Sequence, residues 1–335
     1  MLTKGIEKLK GGLDLSRSEM GAIIGQMMSG VASETEMGSF LLALREKGET
    51  VEELAGAAEV LRANMIPIQH SIAGAVDTCG TGGDHSGTFN ISTAAALVTA
   101  GAGVPVAKHG NRSITSKSGS ADVLAELGVG IEASLEVVGK SLEEVGICFC
   151  FAPQLHPSMR HVGPVRRSLG VPTIFNMLGP LCNPASAPFQ VLGVANEDAH
   201  EKIAKALHLL GTERAVVVRG KDGLDEVTIE TETDVYLLEG ESFSKTIWSP
   251  QDFGILASSK ESLKVESARE SAAVIRQVLS GEKGPARDIV VVNAAAAIWL
   301  AERATSLEDG AKLAAEAIDS GAATEILEKL IEKTV

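Results

Sequence analysis

The sequence predicts an α/β protein: a small, mainly helical domain followed by a larger α/β domain with a mostly parallel central sheet. Three observations predict it. The first 65 residues carry three helix-start signals, each followed by an apolar face at helical spacing. Near residue 74 this texture gives way to a short apolar run, a glycine-rich turn and an alanine-rich stretch. From there, β-like runs alternate with helical ones, which is the pattern of parallel strands joined by crossover helices.

Taken in order, Ser16 and Glu19, Ser33 and Glu36, and Thr50 and Glu53 each have the spacing of a capping box. Behind the first, Met20, Ile23, Ile24, Met27 and Met28 repeat at i, i+3, i+4, i+7 and i+8, with Gly30 as the stop. Phe40, Leu41 and Leu44 follow the second, ended by Lys47-Gly48; Leu54, Ala57, Ala58 and Leu61 follow the third. Residues 1–70 are thus expected to form the helical domain, completed by helices near 157–185, and residues 71–335 the α/β domain. Strands are expected at Ala75–Thr78, Val104–Ala107, Ile147–Phe151, Phe189–Val194, Ala215–Arg219 and Val235–Leu238. Helices are expected at Asn90–Ala102, Ser158–Leu169 and Glu197–Leu210, and through much of the tail from about Ser262. Ile289–Ala301 is apolar nearly all round and so predicts a buried helix.

Composition narrows the function classes. A formal charge of −14 and an aromatic content of 3% disfavour nucleic-acid binding. No apolar run approaches the length of a membrane span, and Met1–Leu13 has no apolar core of a secretory signal, so a cytoplasmic location is expected. Cys79, Cys148, Cys150 and Cys182 form no CxxC pair and predict reduced thiols.

Two segments carry chemistry. Asp77 to Thr88 reads DTCGTGGDHSGT, a strand running into a glycine turn that opens a helix. Glycine lets backbone N–H groups approach an anion, and the helix start adds partial positive charge. Asn90, Ser92 and Thr93 stand at that start. A dinucleotide fingerprint would need glycine where His85 stands, and a Walker loop would need Gly-Lys-Ser/Thr, which does not occur. A tight turn before a capped helix explains a generic glycine loop as well; Asp84 points to a cation or a ribose hydroxyl beside the anion. The second segment runs from Lys108 through His109, Gly110, Asn111, Arg112, Ser113, Ile114, Thr115, Ser116 and Lys117 to Ser120. In a parallel sheet it and the glycine turn would share the carboxyl edge, where ligands bind. Taken alone, it is also readable as a solvated basic loop.

These residues resemble the anthranilate phosphoribosyltransferase family. Gly80-Thr81-Gly82-Gly83-Asp84, Asn90-Ile91-Ser92-Thr93 and Lys108-His109-Gly110-Asn111-Arg112 are similar to its three phosphoribosyl-binding signatures. The resemblance continues through Gly119–Leu124, His156-Pro157, Val165–Gly170, Phe175–Leu181, Asn183-Pro184 and Asp222–Glu226, and so spans essentially the whole chain. It implies a nucleoside phosphorylase/phosphoribosyltransferase-like fold, a homodimer, and transfer of phosphoribose from phosphoribosyl pyrophosphate to the anthranilate amine with Mg2+, in tryptophan biosynthesis. It implies contacts to phosphoribosyl pyrophosphate from Gly80, Gly83, Asp84, Thr88, Asn90, Ile91, Ser92, Thr93, Lys108 and Ser120, with the Lys108–Ser116 loop closing over it. Gly80, Asn111 and Arg166 would contact anthranilate, and Ser92, Asp225 and Glu226 would hold magnesium. A guanidinium such as that of Arg166 presents a bidentate fork to a carboxylate. The resemblance also implies a small residue where His85 stands.

On this reading the reaction is displacement at ribose C1 through positioning and electrostatics. No nucleophile–base dyad is required, because the anthranilate amine is neutral. Lys108 and His109 are the candidate catalytic groups; His109 and His156 would take the departing proton or simply pack. Two other readings share parts of the pattern. A pyrimidine nucleoside phosphorylase would bind free phosphate and a nucleobase, and a nucleic-acid-binding paralogue would have lost these motifs.

Overall fold

The computed structural model describes residues 1–112 and 118–335. Four helices open the chain: α1 (Leu2–Lys10), α2 (Arg17–Met28), α3 (Glu34–Lys47) and α4 (Val51–Asn64). All three expected capping boxes form, with Ser16, Ser33 and Thr50 each accepting from the N3 amide while the N3 glutamate accepts from the cap amide. Glu53 goes further. Fully buried, it also accepts from Leu15 N at 2.8 Å and from Lys47 Nζ at 2.8 Å, so a box glutamate ties the α1–α2 connection to the end of α3.

The rest of the chain alternates. It runs β1 (Val76–Gly80), α5 (Ile91–Gly101), β2 (Val106–Gly110), α6 (Ser120–Leu127), α7 (Leu135–Glu144), β3 (Ile147–Phe151), α8 (Ala152–Leu155), α9 (Met159–Leu169) and α10 (Ile174–Leu178). It continues through β4 (Phe189–Gly193), α11 (Glu197–Leu209), β5 (Arg214–Gly220), β6 (Thr233–Glu239), β7 (Ser242–Trp248), α12 (Ala268–Leu279), α13 (Pro285–Leu300), α14 (Leu307–Asp319) and α15 (Ala322–Thr334). The strands form one sheet in the order β3-β2-β1-β4-β5-β6-β7. The first five are mutually parallel, and β6 and β7 close one side as antiparallel strands. The fold class read from the sequence is therefore the one observed.

Two local readings need correction. The second strand lies two residues later than expected, so Lys108 and His109 are strand residues and not the start of a loop. The proline at 105 has no N–H to give a ladder, and the pairing begins after it. The edge strand β7 was not expected: its residues are mostly exposed, so no apolar alternation marks it.

The sheet has two different faces. One packs on α5, α13 and α15, with α12 and α14 packed against these helices, and α13 is buried on almost every side. The other packs on α11 and, through it, on α4. Val162 and Val165 of α9 and Ile174, Phe175 and Leu178 of α10 join the core of the N-terminal helices, and α9 lies against α2 and α3.

Candidate active site

The strand order reverses around β1. From β1 the chain moves to β2 and β3 on one side, and later to β4 and β5 on the other. A crevice therefore opens beyond the carboxyl ends of β1 and β4, the place where open α/β sheets bind ligands. Gly80 and Gly193, the last residues of these strands, are register partners. The turn after β5 folds back across them. A Cβ on Gly80 would stand 2.8 Å from Asp225 Oδ2, and one on Gly193 would overlap the Asp225 carbonyl. Glycine at both positions is what lets this turn approach the sheet edge.

The glycine turn follows β1. Gly82, Gly83, His85 and Gly87 all have positive φ, a backbone that glycine adopts without strain. His85 holds a left-handed conformation, at φ 54°, where the resemblance implies a small residue. The turn is braced from behind: Val265 N donates to Gly87 O and Phe89 N to Leu263 O, each at 2.8 Å. Asn90 caps α5, its Oδ1 accepting from Thr93 N at 3.0 Å while its Nδ2 donates to Ser118 O at 2.7 Å. Ile91 and Thr93 are buried, and Ser92 is half-exposed on the crevice side of the helix start.

Lys108 enters from β2. Its ammonium donates to the Thr78 carbonyl and, at 3.2 Å, to Ser92 Oγ, so it lies beneath the glycine turn. Burial lowers its pKa, opposed by the charges of Asp77, Cys79, Glu226 and Asp225. Beneath it lies a polar cluster that sequence reasoning missed. Fully buried Asp77 accepts from His109 N at 3.1 Å and from Gln190 Nε2 at 3.2 Å, and Asn183 bonds to it as well. A lone acid inside a buried strand was the available signal, since such a group must be paired.

His109 and His156 face each other with ring centroids 5.3 Å apart. Burial, followed by the charge of His156, pushes His109 down to about 3, and burial lowers His156 as well. Both are neutral at ordinary pH. Gly110 could carry no side chain, since a Cβ there would overlap Ser120 Oγ and crowd the Phe149 ring. Asn111 accepts through its carbonyl from Ser120 Oγ at 3.3 Å. Arg112 pairs with Asp122 at 3.1 Å and Glu132 at 3.6 Å, so its charge is turned toward α6. Ser113, Ile114, Thr115, Ser116 and Lys117 lie outside the described residues.

The acid pair faces the glycine turn. Asp225 Oδ2 accepts from Gly82 N at 2.9 Å, and the Ser92 amide donates toward Glu226. Burial, then the neighbouring Asp84, raises Asp225 to about 7; burial, then Asp225, holds Glu226 well above the usual carboxylate range. Asp84 lies near enough to raise both acids, and the Asp225–Glu226 pair is a donor set that fits a divalent cation. Among the described residues, no three His, Cys, Asp or Glu side chains are grouped to hold a metal unaided.

Arg166 of α9 is half-buried, and burial lowers its pKa. Its guanidinium lies 5.5 Å from the Phe175 ring and 3.4 Å from Asn176 Oδ1. Arg160 and Arg167 are exposed. The segment after Asn176 leads to Gly179, whose backbone bonds to the His109 ring, so the arginine is tied to the β2 end through a short run of chain.

Family models match nearly the whole chain: a glycosyl transferase family helical bundle domain at residues 4–65 and a glycosyl transferase family a/b domain at residues 73–324. An anthranilate phosphoribosyltransferase of Rhodopirellula baltica is 50% identical over 327 residues, covering 98% of this chain and 96% of that protein. The crystal structure of the anthranilate phosphoribosyltransferase of Thermus thermophilus is 40% identical, with a TM-score of 0.92 over 98% of this chain and 99% of that one. The Saccharomyces cerevisiae enzyme in complex with PRPP and Mg is 29% identical, with a TM-score of 0.91 over 99% of this chain and 97% of its own. Sequence, crevice and relatives agree from end to end: the chain belongs to the anthranilate phosphoribosyltransferase family.

Proposed function

We propose that this chain transfers the 5-phosphoribosyl group of phosphoribosyl pyrophosphate to the amine of anthranilate, releasing pyrophosphate. The observation that carries this reading is the Asp225–Gly82 hydrogen bond of 2.9 Å, which sets an acid pair against an anion-binding turn. A turn of amides alone would suit any phosphate; acids beside it suit a phosphate that arrives with a cation.

In this proposal Gly80, Gly83, Asp84, Thr88, Asn90, Ser92 and Ser120 line the sugar phosphate, and Lys108 supplies a buried positive charge from below. Ser92, Asp225 and Glu226 would hold magnesium, which when bound neutralises the charge that develops on the leaving pyrophosphate. Arg166 receives the anthranilate carboxylate beside Gly80 and Asn111 and turns the amine toward ribose C1. The bond from C1 to the pyrophosphate oxygen breaks as the bond from C1 to nitrogen forms, and the amine gives up a proton to the departing pyrophosphate or to solvent. His109, neutral and a weak base at its position, orders the β2 end and does not take that proton. The rate comes from positioning and from fixed charge.

A homodimer, a cytoplasmic location and a division into residues 1–70, completed by α9 and α10, and 71–335 belong to the same proposal. Sedimentation of the purified protein checks the dimer. The reaction is tested by the fall in anthranilate fluorescence with phosphoribosyl pyrophosphate, with and without magnesium. No fall in fluorescence, together with turnover of a nucleoside and free phosphate, would replace this reading by the phosphorylase one.

A further inference from the structure

Helix α13 is apolar and buried along almost its whole length, with one polar side chain in the middle. Asn293 is 3% exposed, and asparagine is a poor choice for a helix interior on propensity alone. Burying a primary amide costs free energy unless its donors and acceptor are used. All are used here, and mostly outside the helix. Oδ1 accepts from Val227 N at 2.9 Å, Nδ2 donates to Val227 O at 2.9 Å, and Nδ2 also donates to Ile289 O at 2.9 Å. The side chain thus pairs with both backbone groups of one residue, as a neighbouring strand would.

That residue follows Glu226 directly. The turn 220–228 is already closed within itself: Asp222 accepts from Thr228 Oγ1 at 2.8 Å and from Leu224 N at 3.3 Å, and Lys260 donates to the Asp222 carbonyl at 2.6 Å. Those bonds give the turn its shape. They do not fix the position of the Asp225–Glu226 segment over the sheet edge, where it meets Gly82. Leu224, Val227 and Ile229 are buried, but apolar contacts are poorly directional and leave sliding and rotation open.

We infer that Asn293 is a positioning residue for the acid pair, clamping Val227 so that Asp225 and Glu226 are presented together at the magnesium site. The inference rests on the proposed function and names a residue that touches neither substrate nor metal. Its removal should weaken magnesium binding about tenfold or more, the size expected when a partner behind a metal ligand is lost. The carboxylate grip assigned to Arg166, which Asn293 does not touch, should stay as it is.

The experiment uses the full chain with N293S and N293L, and D225N as a control. Two quantities are read: the magnesium concentration giving half-maximal activity, and the magnesium-dependent rise in melting temperature with phosphoribosyl pyrophosphate present. The expected result is a shift of both midpoints by about tenfold or more in N293S, a larger one in N293L, and an anthranilate KM at saturating magnesium unchanged within about twofold. If N293L does not fold, N293S decides alone. Wild-type magnesium midpoints in N293S, with shifted ones in D225N, would overturn the role of Asn293 and leave the metal assignment standing. Unshifted midpoints in D225N would overturn both.

Discussion

Asp225 and Gly82 come from turns 143 residues apart in sequence, yet the carboxylate of one accepts the amide of the other at 2.9 Å. The bond spans the mouth of the crevice between β1 and β4. It joins the glycine turn to the acid pair, and the first prediction follows from it.

Replacing Asp225 with Asn keeps the shape and removes the charge. The magnesium concentration for half-maximal activity should rise by about tenfold or more, with the melting temperature of the free protein unchanged or higher because a crowded, buried acid is gone. A magnesium titration identical to wild type would remove Asp225 from the ligand set.

Arg166 should act on one substrate only. Losing a hydrogen-bonded charge pair costs about 1.5–3 kcal/mol, which is roughly a 10- to 100-fold effect. R166A should raise the anthranilate KM by that factor and leave the KM for phosphoribosyl pyrophosphate within about threefold. Steady-state kinetics with each substrate varied in turn checks it; equal effects on both would dissolve its assignment.

A methyl group at Gly193 has nowhere to go but into the Asp225 carbonyl. Overpacking of this kind costs about 1–3 kcal/mol, so G193A should lower the melting temperature and also displace the acid turn. The combination distinguishes it from an ordinary core defect: its magnesium midpoint should shift along with its stability. A stability loss at a wild-type midpoint would mean the turn relaxes without moving the acids.

The histidine pair makes a prediction about acid. His109 stays neutral in the folded protein down to about 3, whereas the unfolded chain protonates it near the ordinary histidine value of about 6.5. Between those two values the unfolded state binds more protons, so stability falls as pH falls through that window and is regained on returning above it. His156 adds in the same direction. In H109N the dependence of unfolding free energy on pH over this window should be shallower, as read by urea denaturation at several pH values. The same burial predicts that H109N leaves the shape of the activity profile between pH 6 and 8 unchanged.

Much of the fold was legible because it is written locally. Ser16, Ser33 and Thr50 announce helix starts through their glutamate partners three residues on, and each box forms. The strands Ile147–Phe151 and Phe189–Gly193 stand out as apolar runs because parallel strands are buried on both faces. Strand β7 was missed because an exposed edge needs no apolar pattern. In the site, the glycine turn, Lys108 and the acid pair could be named from their motifs. What could not be read was which of their neighbours hold them. Arg112 shares its segment with Lys108, yet it pairs with Asp122 and Glu132, partners that only the folded chain brings near. Gln190 and Asn293 carry no motif; each is an isolated polar residue in an apolar run, and its partner lies far along the chain, as does that of Asp77.

The placement of the crevice at the reversal of strand order has a consequence for how the protein is made. The glycine turn is complete by residue 87, but the acids are not synthesised until residue 226, and the amide behind them not until residue 293. Contacts of such long range form late, because the intervening chain must first be closed. The glycine turn is itself braced by Leu263 and Val265, so in a growing polypeptide neither the turn nor the acids are held in place until most of the chain is made. The geometry of the crevice therefore comes together late, once residues as far apart as Gly82, Asp225 and Asn293 are all present.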